Sequence, residues 1–407
     1  MKDTKLDTLI TLGGKTLILL LNFVIVVITT RLWGAEGRGI ISLFVADLGL
    51  VGIFASVFNG SSVSYYVQRV SASRLVSQGV LWATIVAGIG AIIEFVFRGA
   101  WQGFLFFAIA CLAATISFHS ALYIGKQKIK AYNLVTILQP ALTLVFTLLL
   151  YFLVPQISFN AYFIGYLLSV LFTLVVASWI TQRKVVALSW EFDRQTCKNS
   201  LQFGWKTELS NIIQFLNYRF TYYVLGFYLG NVSVGIFSIG VTISEAIWIF
   251  SRSVSLVQYS QVLKEGDTLL ARKMTRKAVW LSAAGSLVCI IGALLLPTQL
   301  YVFVFGAEFA DVKTILWLLS PGVLAIAISN VYGNFFSATK HLNVLVIKSL
   351  AGLVATILLS VILVPIWGIK GACVVNSISY IVSSLILFLV YCSKAQRGKS
   401  REEVAFE

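Results

Sequence analysis

The sequence predicts an all-α polytopic membrane protein of twelve transmembrane helices in two similar halves. Three observations carry this reading. Hydrophobic residues form 58% of the chain and charged residues only 12%, about half the charge of a soluble domain. Twelve apolar runs are each long enough for the roughly 20 residues that a spanning helix needs. The chain also repeats itself. Leu21-Asn22-Phe23 opens a run that ends at Gly34 and is followed by Gly39-Ile40-Ile41-Ser42. Leu216-Asn217-Tyr218 opens a second run that ends at Gly230 and is followed by Gly235-Ile236-Phe237-Ser238. Leu153-Val154-Pro155 and Leu363-Val364-Pro365 echo each other in the same way. Membrane proteins built from two similar halves commonly place a pathway at their interface, so the repeat points to transport.

The runs cover residues 16–33, 39–59, 78–97, 103–124, 133–154, 160–182, 208–230, 234–257, 278–303, 312–334, 344–364 and 372–392. The seventh is the most polar. An even number of spans puts both termini on one side, and the basic residues choose that side. With the termini cytoplasmic, most of the 31 Lys and Arg residues fall on the inner side. Only Arg31, Arg38, Arg98, Lys313 and Lys370 fall outside, and Arg219 lies within a span. The net charge of +15 is therefore mostly topological. It is spread over short loops, without the clustered footprint that nucleic acid requires, so the expected partners are membrane lipids and no nucleic acid.

The longest segment outside the runs, 183–207, reads as a cytoplasmic linker. It divides an N-terminal six-helix bundle, 1–182, from a C-terminal one, 208–392, with a tail at 393–407. The N-terminal run continues into a hairpin and lacks a small-residue cleavage site, so no cleaved signal is expected. Pro155, Pro297 and Pro365 stand at span ends. Pro140 and Pro321 stand inside spans and should kink them. The five cysteines are scattered and form no CxxC, so they read as small apolar residues with no metal or disulfide role.

An enzymatic reading finds little to stand on. His119 and His341 are far apart and belong to no HExxH motif, and no GxxxxGK[S/T] phosphate loop is present. No cofactor is expected. A membrane polymerase or acyltransferase would need a sizeable outer loop for its catalytic groups, and the outer loops here are a few residues long.

Several stretches resemble the Wzx-type O-antigen and capsule flippases of the multidrug/oligosaccharidyl-lipid/polysaccharide exporter superfamily. Residues 31–39, Arg-Leu-Trp-Gly-Ala-Glu-Gly-Arg-Gly, are similar to the turn between their first two spans. Phe58-Asn59-Gly60-Ser61-Ser62 through Tyr66 is similar to the end of their second span. Leu229-Gly230-Asn231 through Ser238, Phe305-Gly306-Ala307-Glu308-Phe309, Ser320-Pro321-Gly322 and Val364-Pro365-Ile366-Trp367-Gly368 follow in the family's order. The resemblance implies two bundles of six helices around a central cavity. It implies a bacterial inner-membrane protein whose substrate is an oligosaccharide on a polyprenyl pyrophosphate, passed from the inner to the outer leaflet. A polysaccharide polymerase and its chain-length machinery are the implied protein partners. The chain departs from the family at Thr221, where an acidic residue is frequent. A small-molecule exporter of the same superfamily is the alternative.

Such a substrate needs fixed positive charge for its anion, and amides and aromatic faces for its sugars. The seventh span supplies Asn211, Gln214, Asn217, Tyr218, Arg219, Thr221, Tyr222 and Tyr223, and Asn22 is the counterpart of Asn217 in the first half. Substrate contact is expected from Arg219, Asn22, Asn217, Gln214, Tyr218 and Tyr222. The two asparagines could equally bridge helices. Intramembrane charge is expensive and marks function, which singles out Asp47 and Glu245 as ion-coupling groups or charge partners. Arg219 and Glu245 each lie thirteen residues from Val232, so both should sit about 20 Å from the hairpin turn. Arg219 should therefore face Glu245, Asp47 or a wet cavity. Glu94 and Glu208, near span ends, are expected to be solvated.

Overall fold

The computed structural model describes the backbone of residues 2–154, 158–264 and 268–404, and the side chains of 13–154, 158–264 and 269–393. Pro155, expected at a span end, lies outside them. No strand occurs among the described residues. The helices are α1 (Lys2–Asn59), α2 (Ser61–Tyr66), α3 (Ala72–Arg98), α4 (Ala100–Gly125), α5 (Ile129–Leu153), α6 (Asn160–Ile180), α7 (Arg194–Lys264), α8 (Thr268–Leu295), α9 (Thr298–Phe305), α10 (Val312–Ala338) and α11 (Leu342–Val404). Among the described residues, nine helical stretches are long and apolar enough to cross a membrane. Large apolar side chains such as Phe97, Phe152, Phe227 and Leu295 lie exposed on them, as lipid-facing residues do.

Three helices are far too long for a hydrocarbon layer of about 30 Å. α1, α7 and α11 run for 58, 71 and 63 residues. Each is broken at one glycine, Gly34, Gly230 and Gly368, where φ is positive and ψ is extended. Only glycine adopts that backbone without strain. Pro365 was expected to end its span. Instead the helix runs through it and breaks at Gly368, where φ is left-handed. Pro140 and Pro321 likewise lie inside continuous helices. The ninth apolar run is interrupted just before Pro297, the N-cap residue of α9.

The left-handed residues fall into two series. Gly34, Gly99, Gln127 and Ser158 occur in the first half of the chain, and Gly230, Gly306, Lys340 and Gly368 in the second. Taken in order, each pair is separated by roughly 200 residues. Gln127 and Lys340 also close equivalent turns. The N–H of the next residue donates to the carbonyl five residues back, Lys128 to Tyr123 and His341 to Phe336, as in a Schellman cap.

The chain forms two compact units. The first comprises Met1–Trp33 and Leu43–Ile212, and the second Gly34–Ser42 and Ile213–Glu407. The segment expected to be a linker is extended only up to Asp193. Asp193 caps α7 by accepting from the Thr196 N–H at 2.9 Å, and residues 194–207 are already helical. Their aromatic face packs in the first unit, with Trp205 on Phe54 and Phe203 stacked on Tyr65. That amphipathic face is why a stretch too polar to span still folds as helix.

Hydroxyl groups hold the helices together, as expected where lipid removes the hydrophobic drive between them. In the first unit, Tyr123 of α4 donates to the Ala177 carbonyl of α6 at 2.7 Å, and His119 Nδ1 lies 2.8 Å from Thr181 Oγ1. In the second, Ser251 of α7 and Ser282 of α8 both donate to the Ala327 carbonyl of α10, at 2.7 and 2.9 Å. The second unit also holds a reciprocal crossing. A Cβ built on Gly39 would lie 1.8 Å from the Asn231 carbonyl oxygen, and one on Gly235 would lie 1.9 Å from the Ala35 carbonyl oxygen. Each glycine thus lets one backbone approach the residue four positions before the other glycine. This is the spacing of small-residue membrane crossings.

Candidate functional site

The polar residues of the seventh span lie on the part of α7 before Gly230. Those from Gln214 onward belong to the second unit; Arg219 meets a partner on the part after Gly230, and Asn217 and Thr221 meet theirs on α11. Arg219 Nη2 is 2.9 Å from Glu245 Oε1 and 3.3 Å from Oε2. Its Nη1 donates to the Tyr222 hydroxyl at 3.0 Å, and the guanidinium lies 5.1 Å from the Tyr222 ring centre. The two charged side chains remain 24% and 34% exposed. The pair is therefore neither sealed in the core nor on the surface, and a ligand could reach it.

Three aromatic rings pack on one another beside it, starting from the adjacent Tyr218. Tyr218, Trp248 and Tyr380 lie 5.4–5.6 Å apart, centre to centre. The Tyr218 hydroxyl accepts from Gln214 Nε2 at 2.6 Å. Tyr222, Trp248 and Tyr380 are themselves buried, and Tyr218 is half-buried, so the groups open to a ligand are the guanidinium, the carboxylate and part of Tyr218. A guanidinium that can exchange its carboxylate can hold an anion.

Arg38 belongs to this neighbourhood, and sequence reading had placed it in an outer turn. It is buried and donates from Nε to Ser238 Oγ at 3.3 Å. A signal was present: in the repeat that aligns Gly39 with Gly235, Arg38 aligns with Val234, which is fully buried.

Other candidates fall elsewhere. Asn217 is buried, and its carbonyl oxygen accepts from Thr356 at 2.6 Å and from Ser379 at 2.7 Å. It ties α7 to α11, as bridging amides do. Thr221, at the position where the resemblance leads one to expect an acid, is fully buried and donates to Asn376 Oδ1 at 2.7 Å. Asn22 is exposed in the first unit, so the two asparagines that match in sequence have different surroundings.

Asp47 has a different arginine. Arg98 Nη2 meets Asp47 Oδ2 at 3.0 Å, and Arg98 Nη1 meets Glu94 Oε2 at 3.2 Å. Glu94 and Glu208, expected to be solvated, are both buried, at 4% and 5% exposure. Glu94 is held by Arg98, one helical turn along. Glu208 accepts from Asn211 Nδ2 at 2.8 Å. Proximity to a span end says little about burial when neighbouring helices extend past that end. Among the described residues, no group of His, Cys, Asp and Glu could hold a metal ion.

Known proteins place this architecture. The chain is similar to a lipid II flippase MurJ in an inward closed conformation, with a TM-score of 0.76, 14% identity and coverage of 95% of this chain and 87% of that one. It is also similar to an inward-facing multidrug resistance MATE transporter of the MOP superfamily, with a TM-score of 0.77, 15% identity and coverage of 94% and 96%. These likenesses show the fold. In sequence, 165 residues are 28% identical to the capsular polysaccharide biosynthesis protein CapF of Staphylococcus aureus, covering 40% of this chain and 42% of that relative's length. The profile of the family described as "polysaccharide biosynthesis protein" matches residues 5–257. More than half the chain is matched, in a protein whose fold is that of the exporter superfamily, and the chain is a multi-pass membrane protein of the polysaccharide biosynthesis protein family.

Proposed function

We propose that the protein moves oligosaccharides linked to polyprenyl pyrophosphate from the inner to the outer leaflet of a bacterial cytoplasmic membrane. The observation that carries this reading is the partly exposed Arg219–Glu245 pair, with Arg219 also donating to the Tyr222 hydroxyl. The family match and the likeness of the fold to a lipid II flippase support it. Arg219 binds the diphosphate in one state and Glu245 in the other, so substrate and carboxylate exchange on one guanidinium. Gln214, Tyr218 and Tyr222 contact sugars, and Asn22 does so from the first unit.

In this reading each broken helix crosses the membrane twice, which makes twelve spans, with both termini cytoplasmic. The paired series of left-handed residues supports a two-fold repeat and alternating access of the halves. In liposomes, the purified protein is expected to redistribute a lipid-linked oligosaccharide between leaflets without changing its mass. Covalent alteration of the lipid by the protein alone would refute this reading.

Net transport is driven by an ion gradient. Glu94 and Asp47 set two carboxylates against the single guanidinium of Arg98, which leaves one negative charge for a proton or cation to neutralise. Collapsing the proton and sodium gradients in vesicles is expected to stop net accumulation in one leaflet. Accumulation that continues undiminished would exclude coupling.

The second reading, export of small molecules, draws on the MATE-like fold. Cationic drugs would be expected to seek an acidic site, and here the partly exposed pair sets a guanidinium against a single carboxylate, which leaves no net negative charge to hold a cation.

A further inference from the structure

A second basic site lies in the first unit. α4 ends in a rigid turn. Lys126 N–H donates to Leu122, Gln127 takes a left-handed φ of 57°, and Lys128 N–H closes back on Tyr123 at 2.7 Å. Lys128 and Lys130 therefore leave a fixed backbone at the start of α5. Facing them, the last turn of α6 widens into a π-helical turn, Thr181–Val185, that carries Lys184. Thr181 anchors this turn. It is fully buried against His119 and Tyr123.

Between these turns is a cavity of about 450 Å³. Lys128, Lys130 and Lys184 line it together with apolar residues that include Ile180 and Leu134, and no acidic residue contributes to its lining. Lys184 Nζ also lies 5.2 Å from the Trp179 ring centre, which holds its ammonium over an aromatic face. Below the cavity, α5 presents an apolar stripe of Leu134, Val145, Leu149 and Phe152, each 47–73% exposed. Their spacings of eleven, four and three residues put them on one helix face. α5 has 25 residues, about 37 Å, so the stripe runs across most of a bilayer.

A basic pocket at the membrane surface that continues into an apolar track has the form of an anionic lipid. We propose that it holds the diphosphate of a polyprenyl lipid, with the chain lying along the α5 stripe. Naming that lipid rests on the function proposed above. Charge selects it over an ordinary phospholipid. A phosphodiester brings one negative charge to three ammonium groups, whereas a diphosphate brings two or more. The site would capture the carrier lipid from the leaflet before its sugars are engaged elsewhere.

The test uses the full-length protein in detergent and a sugar-free polyprenyl diphosphate as probe, with binding read by native mass spectrometry and by titration. Replacing Lys128, Lys130 and Lys184 together by Gln is expected to weaken binding by roughly fivefold per lysine, about 100-fold in all. The triple Lys→Arg variant is expected to keep affinity within a few fold. If the triple Gln variant fails to fold, Lys184→Gln alone is measured and should show the single step. Unchanged affinity in the Gln variants overturns the proposal. So does equal displacement of the probe by phosphatidylglycerol, which would make this a general lipid contact, or by inorganic diphosphate, which would remove the role of the chain. If the protein binds the probe through these lysines but moves no lipid-linked oligosaccharide in liposomes, the pocket stands and the proposed function falls. If it moves that substrate while the Gln variants bind the probe normally, the reverse holds.

Discussion

Arg219→Ala is expected to reduce lipid-linked oligosaccharide transfer to background while the protein still inserts in the membrane. The substitution removes the one guanidinium that contacts both Glu245 and Tyr222. It also leaves Glu245 without its cation. Breaking a buried ion pair in this way costs about 3–5 kcal/mol. Here the side chains are 24% and 34% exposed, so water offsets part of that cost and the fold should survive. Arg219→Lys keeps the charge but loses the planar fork, and is expected to retain measurable transfer. Glu245→Gln tests the exchange itself. With no carboxylate to reclaim the arginine, substrate should bind more tightly and leave more slowly. Full transfer by Arg219→Ala in a leaflet-resolved liposome assay would end the role given to this residue.

The glycine crossing gives the second large effect. Gly39→Ala and Gly235→Ala each place a methyl group less than 2 Å from a backbone carbonyl oxygen. No rotamer change relieves a clash with main chain, so the helices must part. Each substitution is expected to cost about 1–3 kcal/mol, the range for overpacking, seen as a lower thermal midpoint of the purified protein. The double variant should lose less than the two single losses combined, because a crossing already opened by one methyl accommodates the other. Strict additivity would mean that the two glycines do not act on one contact, and wild-type midpoints in both single variants would show that the crossing bears no load.

Much of this was readable from residues alone, because hydrophobic length and intramembrane charge are strong local signals. The apolar runs find the helices. The equal distances of Arg219 and Glu245 from Val232 bring those two residues to one depth, where they pair. Reading failed where the outcome depends on which helices are neighbours. Arg38 sits beside a glycine turn and looks like a loop residue, yet it is buried against Ser238. Glu208 lies at the polar start of a span and is buried by packing. Pro365 signals a helix end, but a proline removes only one donor, and the left-handed glycine three residues later makes the break. For Asn217 the residue type allows both a sugar ligand and a helix bridge. Only the positions of Thr356 and Ser379 favour the second.

That bridge also sets an order in time. Asn217 accepts from residues 139 and 162 positions later in the chain, and Thr221 from its neighbouring turn reaches Asn376, 155 positions on. A ribosome adding about 5–20 residues per second takes roughly 7–30 s to deliver those partners. For that interval the most polar span of the protein waits in or beside the insertion machinery with a buried-type amide unsatisfied. The first unit has all of its chain by then. The second cannot close until α11 has emerged, so chains that stop short of it should be the ones that quality-control proteases find.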